Sequence, residues 1–200
     1  MLAQIATDAK SNEITAVPKL LAMLRLKGTI VTTDALNCQR AIAQQIVDQG
    51  GDYALALKGN QGTLHNDVVL YLDDPASKTI AAKPVVEADH GRIETRTAIV
   101  STDIAWLIKD HQWPGLAAVG KVKRLRETAG KTTSETAYYL LSAPLTPERF
   151  NEVVRVENRL HWRLDVVMNE DQDRSRLGNG PHNLAVLRHM AVRRHLGMRI

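Results

Sequence analysis

Asp34 closes a β-branched run, Thr29 to Thr33, and begins a loop. A carboxylate that ends a buried strand at a strand-to-helix loop is placed to hold a hard cation such as Mg2+; capping of the helix that follows is the competing reading. Lys58, in Leu57-Lys-Gly-Asn-Gln61, ends a second apolar run. It can reach a phosphate with help from backbone amides of the glycine loop. The spacing and Lys-Ser/Thr pair of a P-loop are missing, and a solvated loop lysine is the alternative. Glu157, in Val156-Glu-Asn-Arg-Leu-His-Trp162, falls on a helical stretch whose Leu160 and Leu164 pack inward. It is either a second metal ligand or a surface glutamate paired with Arg155 or Arg159. Glu170-Asp-Gln-Asp173 is an acidic knot that either binds metal or forms a solvated turn. His161 and Trp162 could stack on a base, or Trp162 could belong to the core. No serine or cysteine nucleophile motif occurs, and Cys38 reads as a small buried residue.

Positive charge is gathered in two places. Lys121, Lys123, Arg124 and Arg126 lie on an alternating segment, and from Arg174 to Ile200 six arginines occur with no acidic residue. Such clusters neutralise phosphate backbones. A solvated basic surface is the other reading, because the net charge of +4 is modest.

The elements that would position these residues follow from periodicity. Leu2 to Thr7 reads as a short strand. Ser11-Asn-Glu13 signals a helix entry, and Ile14, Val17, Leu20, Leu21 and Leu24 recur at helical spacing until Lys27-Gly28. Thr29 to Thr33 and Tyr53 to Leu57 read as strands separated by a helix over Arg40 to Gln49, which makes a parallel unit with a right-handed crossover. Asp34 and Lys58 then stand at the carboxyl ends of neighbouring strands, where side chains meet ligands. A helix follows over Thr63 to Leu72. Val85 to Asp89 and Ile93 to Ile99 form a hairpin about His90-Gly91, and Leu116 to Leu125 and Thr136 to Leu141 are two strands parted by the Gly130 turn. The last fifty residues read as helical.

Two hundred residues suit one domain with a core, and 44% hydrophobic with 24% charged residues excludes a disordered or fibrous chain. No stretch approaches the ~18 apolar residues of a membrane span, and no signal-peptide layout opens the chain. One cysteine forbids an intrachain disulfide. A cytoplasmic protein with no membrane partner is expected.

Taken together, Thr7-Asp-Ala-Lys-Ser-Asn-Glu13, Ile30-Val-Thr-Thr-Asp34, Gly51-Asp-Tyr-Ala-Leu-Ala-Leu-Lys-Gly-Asn-Gln61, Asp89-His-Gly-Arg-Ile-Glu-Thr-Arg96 and Glu157-Asn-Arg-Leu-His-Trp-Arg-Leu-Asp165 resemble the H-repeat-associated family of bacterial insertion-sequence transposases. The resemblance covers nearly the whole chain. It implies a DDE transposase with a ribonuclease-H-like mixed sheet flanked by helices and a β-rich insertion, here residues 83–142 of a single 1–200 domain. It also implies three acidic residues that hold two Mg2+ or Mn2+ ions for strand cleavage and joining. Asp34 matches the second acid and Glu157 the third. Lys58, Arg92 and Arg96 match basic positions that contact DNA, to which the sequence adds Lys121, Lys123 and Arg124. DNA is the implied partner, with a homo-oligomer in view.

The family's first acid lies in a segment resembling Asp-Gly-Lys, which this sequence lacks. The first core strand or strands are therefore expected to be missing. Against that family's pattern, which has a His-Trp pair shortly before the Glu-Asn dipeptide, the resemblance implies that about four residues, one helical turn, are absent before Glu157-Asn158. The expectation is a truncated chain that is inactive alone. The alternatives are a non-catalytic DNA-binding or regulatory product, and a metal-dependent nuclease drawing on Glu170, Asp171 or Asp173.

Overall fold

A computed structural model describes residues 13–89 and 92–162. The chain divides into two compact units, one of Arg25–Val154 and one of Met1–Leu24 with Arg155–Ile200. In the second unit the described elements are α1 (Glu13–Ala22) and the backbone of the helix α5 (Pro147–Trp162) from Arg155 on. The helix expected to run to Lys27 stops at Ala22, where Met23 N–H bonds to Leu20 O at 3.1 Å and Leu24 N–H to Leu21 O at 3.0 Å. These tighter i to i−3 bonds close the last turn in place of helical continuation. The strand expected over Leu2 to Thr7 lies outside the described residues.

The Arg25–Val154 unit is built on a mixed sheet. β1 (Ile30–Thr33) is β-branched throughout, α2 (Arg40–Asp48) carries Ile42, Ala43 and Ile46 as its buried stripe, and β2 (Asp52–Leu57) is almost wholly buried. β1 and β2 pair in parallel, Ile30 against Asp52 through Thr33 against Leu55, as the two apolar runs and their helix-length connection predict. α3 (Gly62–Asp73) follows. A short β3 (Ile80–Ala81) and the hairpin of β4 (Val85–Asp89) with β5 (Arg92–Ser101) come next, then α4 (Ala105–His111) and the long hairpin of β6 (Ala118–Thr128) with β7 (Lys131–Leu141). Among the described residues the sheet order is β1-β2-β7-β6-β5-β3, with β4 also on β5. β7 is antiparallel to β2, so residues expected as an inserted β-rich segment continue the same sheet.

The β6–β7 hairpin closes on Ala129 and Gly130, both in the left-handed region at φ 38° and 83°. A two-residue loop with two positive φ values matches the right-handed twist of the strands it joins. The two faces of the sheet are covered differently. Ala54, Ala98, Ala118, Val122, Tyr139 and Leu141 form one core cluster with Phe150 and Val154 of α5. Gly120 makes this close approach possible, since a Cβ there would stand 2.8 Å from the Phe150 ring. The next residue, Lys121, points the other way and meets the end of α3, so α3 covers the opposite face. Thr146 and Pro147 start α5: the Thr146 carbonyl and hydroxyl accept from Phe150 and Arg149, and proline at the first helical position gives up no needed donor.

Candidate nucleic-acid and cation site

Asp34 follows the last residue of β1 and Lys58 the last residue of β2. The register of Thr33 with Leu55 sets Asp34 level with Ala56, so the two charged residues share one end of the sheet. Asp34 is exposed and caps the 3-10 turn Ala35–Asn37: its Oδ1 accepts the Asn37 backbone N–H at 3.2 Å and the Asn37 Nδ2 at 2.9 Å. The capping reading of Asp34 is thus realised, on one carboxylate oxygen. Oδ2 carries no bond among the described residues, so capping leaves half of the carboxylate open to a ligand. Lys58 is exposed and unpaired among the described residues.

The two loops that follow these strands are tied by side chains. Asn60 Nδ2 donates to Ala35 O at 2.8 Å and Gln61 Nε2 to Cys38 O at 2.6 Å. By sequence Asn60 and Gln61 read as residues of a turn-rich Gly59–Gly62 stretch. Two consecutive carboxamides after a glycine are the signal that was there to see, but their acceptors lie more than twenty residues away. Cys38 is fully buried, and burial pushes its thiol up to about 12, which agrees with an inert core residue.

The basic residues of the hairpins gather at the same end. The last pair between β2 and β7 is Leu57 with Tyr138, and β7 runs antiparallel, so residues 131–137 and their partners on β6 and β5 extend past the ends of β1 and β2. At ~3.4 Å per residue this wing reaches about 24 Å. Arg92, Arg96, Lys123 and Arg124 all lie on it: Arg96 pairs with Arg124 beside Lys123, and Arg92 pairs with Thr128 at the tip.

They do not form one solvent-facing patch, and here the structure corrects the sequence reading. Lys121, at the base of the wing, is buried and donates to Leu72 O at 2.5 Å and to Asp73 Oδ1 at 2.6 Å. Its ammonium binds the carboxyl end of α3, where helix carbonyls lack partners, and is spent inside the fold. Arg96 and Arg124 face each other across β5 and β6 and are also buried. Glu94 serves both Arg96 and Arg126 at 2.9 Å, and Arg124 stands 3.7 Å from Glu135. The Arg96 Nε contact is an ion pair without hydrogen-bond geometry. Burial and the facing Arg124 charge lower the pKa of Arg96. Burial raises that of Glu94, yet the Arg126 hydrogen bond and the charges of Arg96, Arg126 and Arg92 hold it below the usual range. The side chains open to solvent are Lys58, Arg92 and Lys123.

Glu157 lies on α5 in the other unit, and its side chain is outside the described residues, as are Glu170, Asp171, Asp173 and the arginines from Arg174 on. Among the described residues no group of three histidine, cysteine or acidic side chains stands together as a metal site. The described carboxylate directly after β1 is Asp34, which is exposed.

A family model described as "Transposase DDE domain" matches residues 1–193. The chain is 43% identical over 206 residues to "Putative protein YbfL" of Escherichia coli (strain K12), covering 96% of this chain and 54% of that protein. It is 42% identical over the same length to "H repeat-associated putative transposase YhhI" of that strain, again covering 96% and 54%. With an "Uncharacterized protein in dhlA 3'region" of Xanthobacter autotrophicus it shares 43% over 148 residues, 74% of this chain and 50% of that one. The chain spans about half the length of these curated relatives.

Proposed function

The chain belongs to the transposase DDE-domain family, and we propose from that premise that its sheet is part of a ribonuclease-H-like core acting on DNA with divalent cations. Asp34 is the second of the three acids in this reading and Glu157 the third. The observation that carries it is the placing of Asp34 and Lys58 at the carboxyl ends of adjacent parallel strands, with one oxygen of Asp34 held and the other open. A cation held there with Mg2+ or Mn2+ chemistry would offset the charge that develops on phosphate oxygens as a strand is cut.

The chain's own residues do the rest. Lys58 at the strand ends, and Arg92 and Lys123 on opposite faces of the wing, offer phosphate contacts. They fix a duplex by its backbone and carry no base readout. Arg96, Arg124 and Lys121 shape the wing and its joint with α3 instead. Because this sequence lacks the Asp-Gly-Lys-like segment that carries the family's first acid, the reading has the 200-residue polypeptide by itself bind DNA through its basic side chains and leave it uncut.

The test is a plasmid carrying matched terminal repeats, incubated with the purified chain and Mg2+ or Mn2+. The expected result is retention of the plasmid without nicking. Metal-dependent cleavage that Asp34→Ala abolishes would show a working nuclease. Absence of any DNA retention would remove the DNA-binding reading as well.

A further inference from the structure

We propose that Asn60 and Gln61 are positioning residues that set the direction of the Asp34 carboxylate. The inference rests on the reading of Asp34 as a cation ligand and adds to it the device that aims it. The Ala35–Asn37 turn is three residues long, and 3-10 turns of that length have poor hydrogen-bond geometry and little stability of their own. Its internal bonds are those of Cys38 N–H to Ala35 O at 3.2 Å and of the Asp34 cap. Asn60 bonds the carbonyl of its first residue, and Gln61 bonds the carbonyl of the residue just after it. The two carboxamides therefore grip the turn at both ends. Among the described residues no backbone hydrogen bond joins the Asp34 loop to the Lys58 loop, so these side chains are the link between them.

The link acts on Asp34 through Asn37. Asn37 is buried, and both its backbone N–H and its Nδ2 hold Asp34 Oδ1. With the turn gripped, Asn37 is fixed, Oδ1 is fixed, and Oδ2 is left facing out in one direction. Partners that orient a ligand in this way are worth 10–100-fold in metal affinity. Neither Asn60 nor Gln61 touches the open oxygen, so their effect is on aim and not on chemistry. The same grip ties the loop that follows Lys58 to the turn that follows Asp34.

The experiment uses the full chain, uniformly labelled with nitrogen-15, and Mn2+ as probe. Paramagnetic broadening of the amide resonances of residues 33–38 is followed as Mn2+ is added. In the Asn60→Ala/Gln61→Ala variant the Mn2+ concentration for half-broadening is expected to rise about tenfold, with the thermal midpoint near that of the parent. The single Asn60→Ala change, at an exposed position, moves it the same way by less and guards against a folding defect. Asp34→Asn is expected to abolish the broadening. If Asp34→Asn abolishes it while the double variant keeps the parent's half-point, the positioning inference is overturned and the Asp34 reading stands. If Asp34→Asn leaves the broadening unchanged, the cation reading falls and hydrogen exchange of the Asn37 amide decides. Exchange about tenfold faster in the double variant sustains the grip on Asp34, and unchanged exchange overturns it.

Discussion

Lys121 and Asp73 meet at 2.6 Å across the joint between the long hairpin and the carboxyl end of α3, with the lysine side chain only 4% exposed. Tyr138, opposite Lys121 on β7, donates its hydroxyl to the other oxygen of Asp73 at 2.8 Å. One carboxylate thus fastens both strands of the long hairpin to α3 (Gly62–Asp73). The Lys121 hydrogen bond and charge, with the Tyr138 hydroxyl, hold Asp73 below the usual carboxylate range, and burial with the Asp73 bond pushes Tyr138 up to about 12.

Removing this fastening should cost stability. Lys121→Met keeps most of the buried stem and deletes the ammonium, leaving Leu72 O without its donor. The expected loss is about 2 kcal/mol, a charged hydrogen bond discounted for the exposure of Asp73, read as a lower urea midpoint at unchanged slope. The pH sign follows from Asp73. Its folded pKa lies below its unfolded one, so its contribution is full above the unfolded value near ~4 and fades as pH falls through the lowered folded value. Asp73→Asn should flatten the acid side of the stability profile in that window and leave the slope near neutrality as it was.

The turn at the tip of the wing carries a strain that can be relieved. Ala129 sits at φ 38°, where a Cβ crowds the following carbonyl, at a position that favours asparagine or glycine. Ala129→Asn is expected to raise stability by roughly 0.5–1 kcal/mol, seen as a higher thermal midpoint with DNA retention unchanged.

The parallel unit was legible because both of its strands are short apolar runs bounded by Gly28, Gly50-Gly51 and Gly59, and burial on two faces removes alternation. Strands β4 to β7 were legible from alternation and the Gly130 turn, but β6 runs on to Thr128 and β7 begins at Lys131, beyond the expected Leu125 and Thr136, because the polar ends of this hairpin show no apolar alternation; residues 90 and 91 lie outside the described residues. α4 was not: its seven residues, Ala105–His111, bury Leu107 alone, too little for a helical period to show. β3 is two exposed residues that pair with β5, and nothing local marks them. The site was half legible. Asp34 and Lys58 end their strands, so the run itself locates them. Lys121 and Lys123 look alike in a sequence, and which of them is buried depends on how far α3 reaches along β6, a tertiary fact. The pairing of Arg96 with Arg124, and of Glu94 with Arg126, needs the register of β5 on β6.

That distinction between neighbours makes the DNA-binding reading testable. Lys123 is exposed on the wing, one pleat beyond Lys121 on the same face of β6, while Lys121 is held by Asp73. A lysine that neutralises a phosphate releases a condensed counterion, so its loss lowers affinity at every sequence and reduces the salt slope by about 1. Lys123→Gln and Arg92→Gln are each expected to do this in fluorescence anisotropy titrations of a labelled duplex across a salt series. Lys121→Met, measured where it is fully folded, is expected to leave the slope as it was, because its charge already answers a carboxylate. Equal slopes for parent, Lys123→Gln and Arg92→Gln would place the DNA path away from the wing.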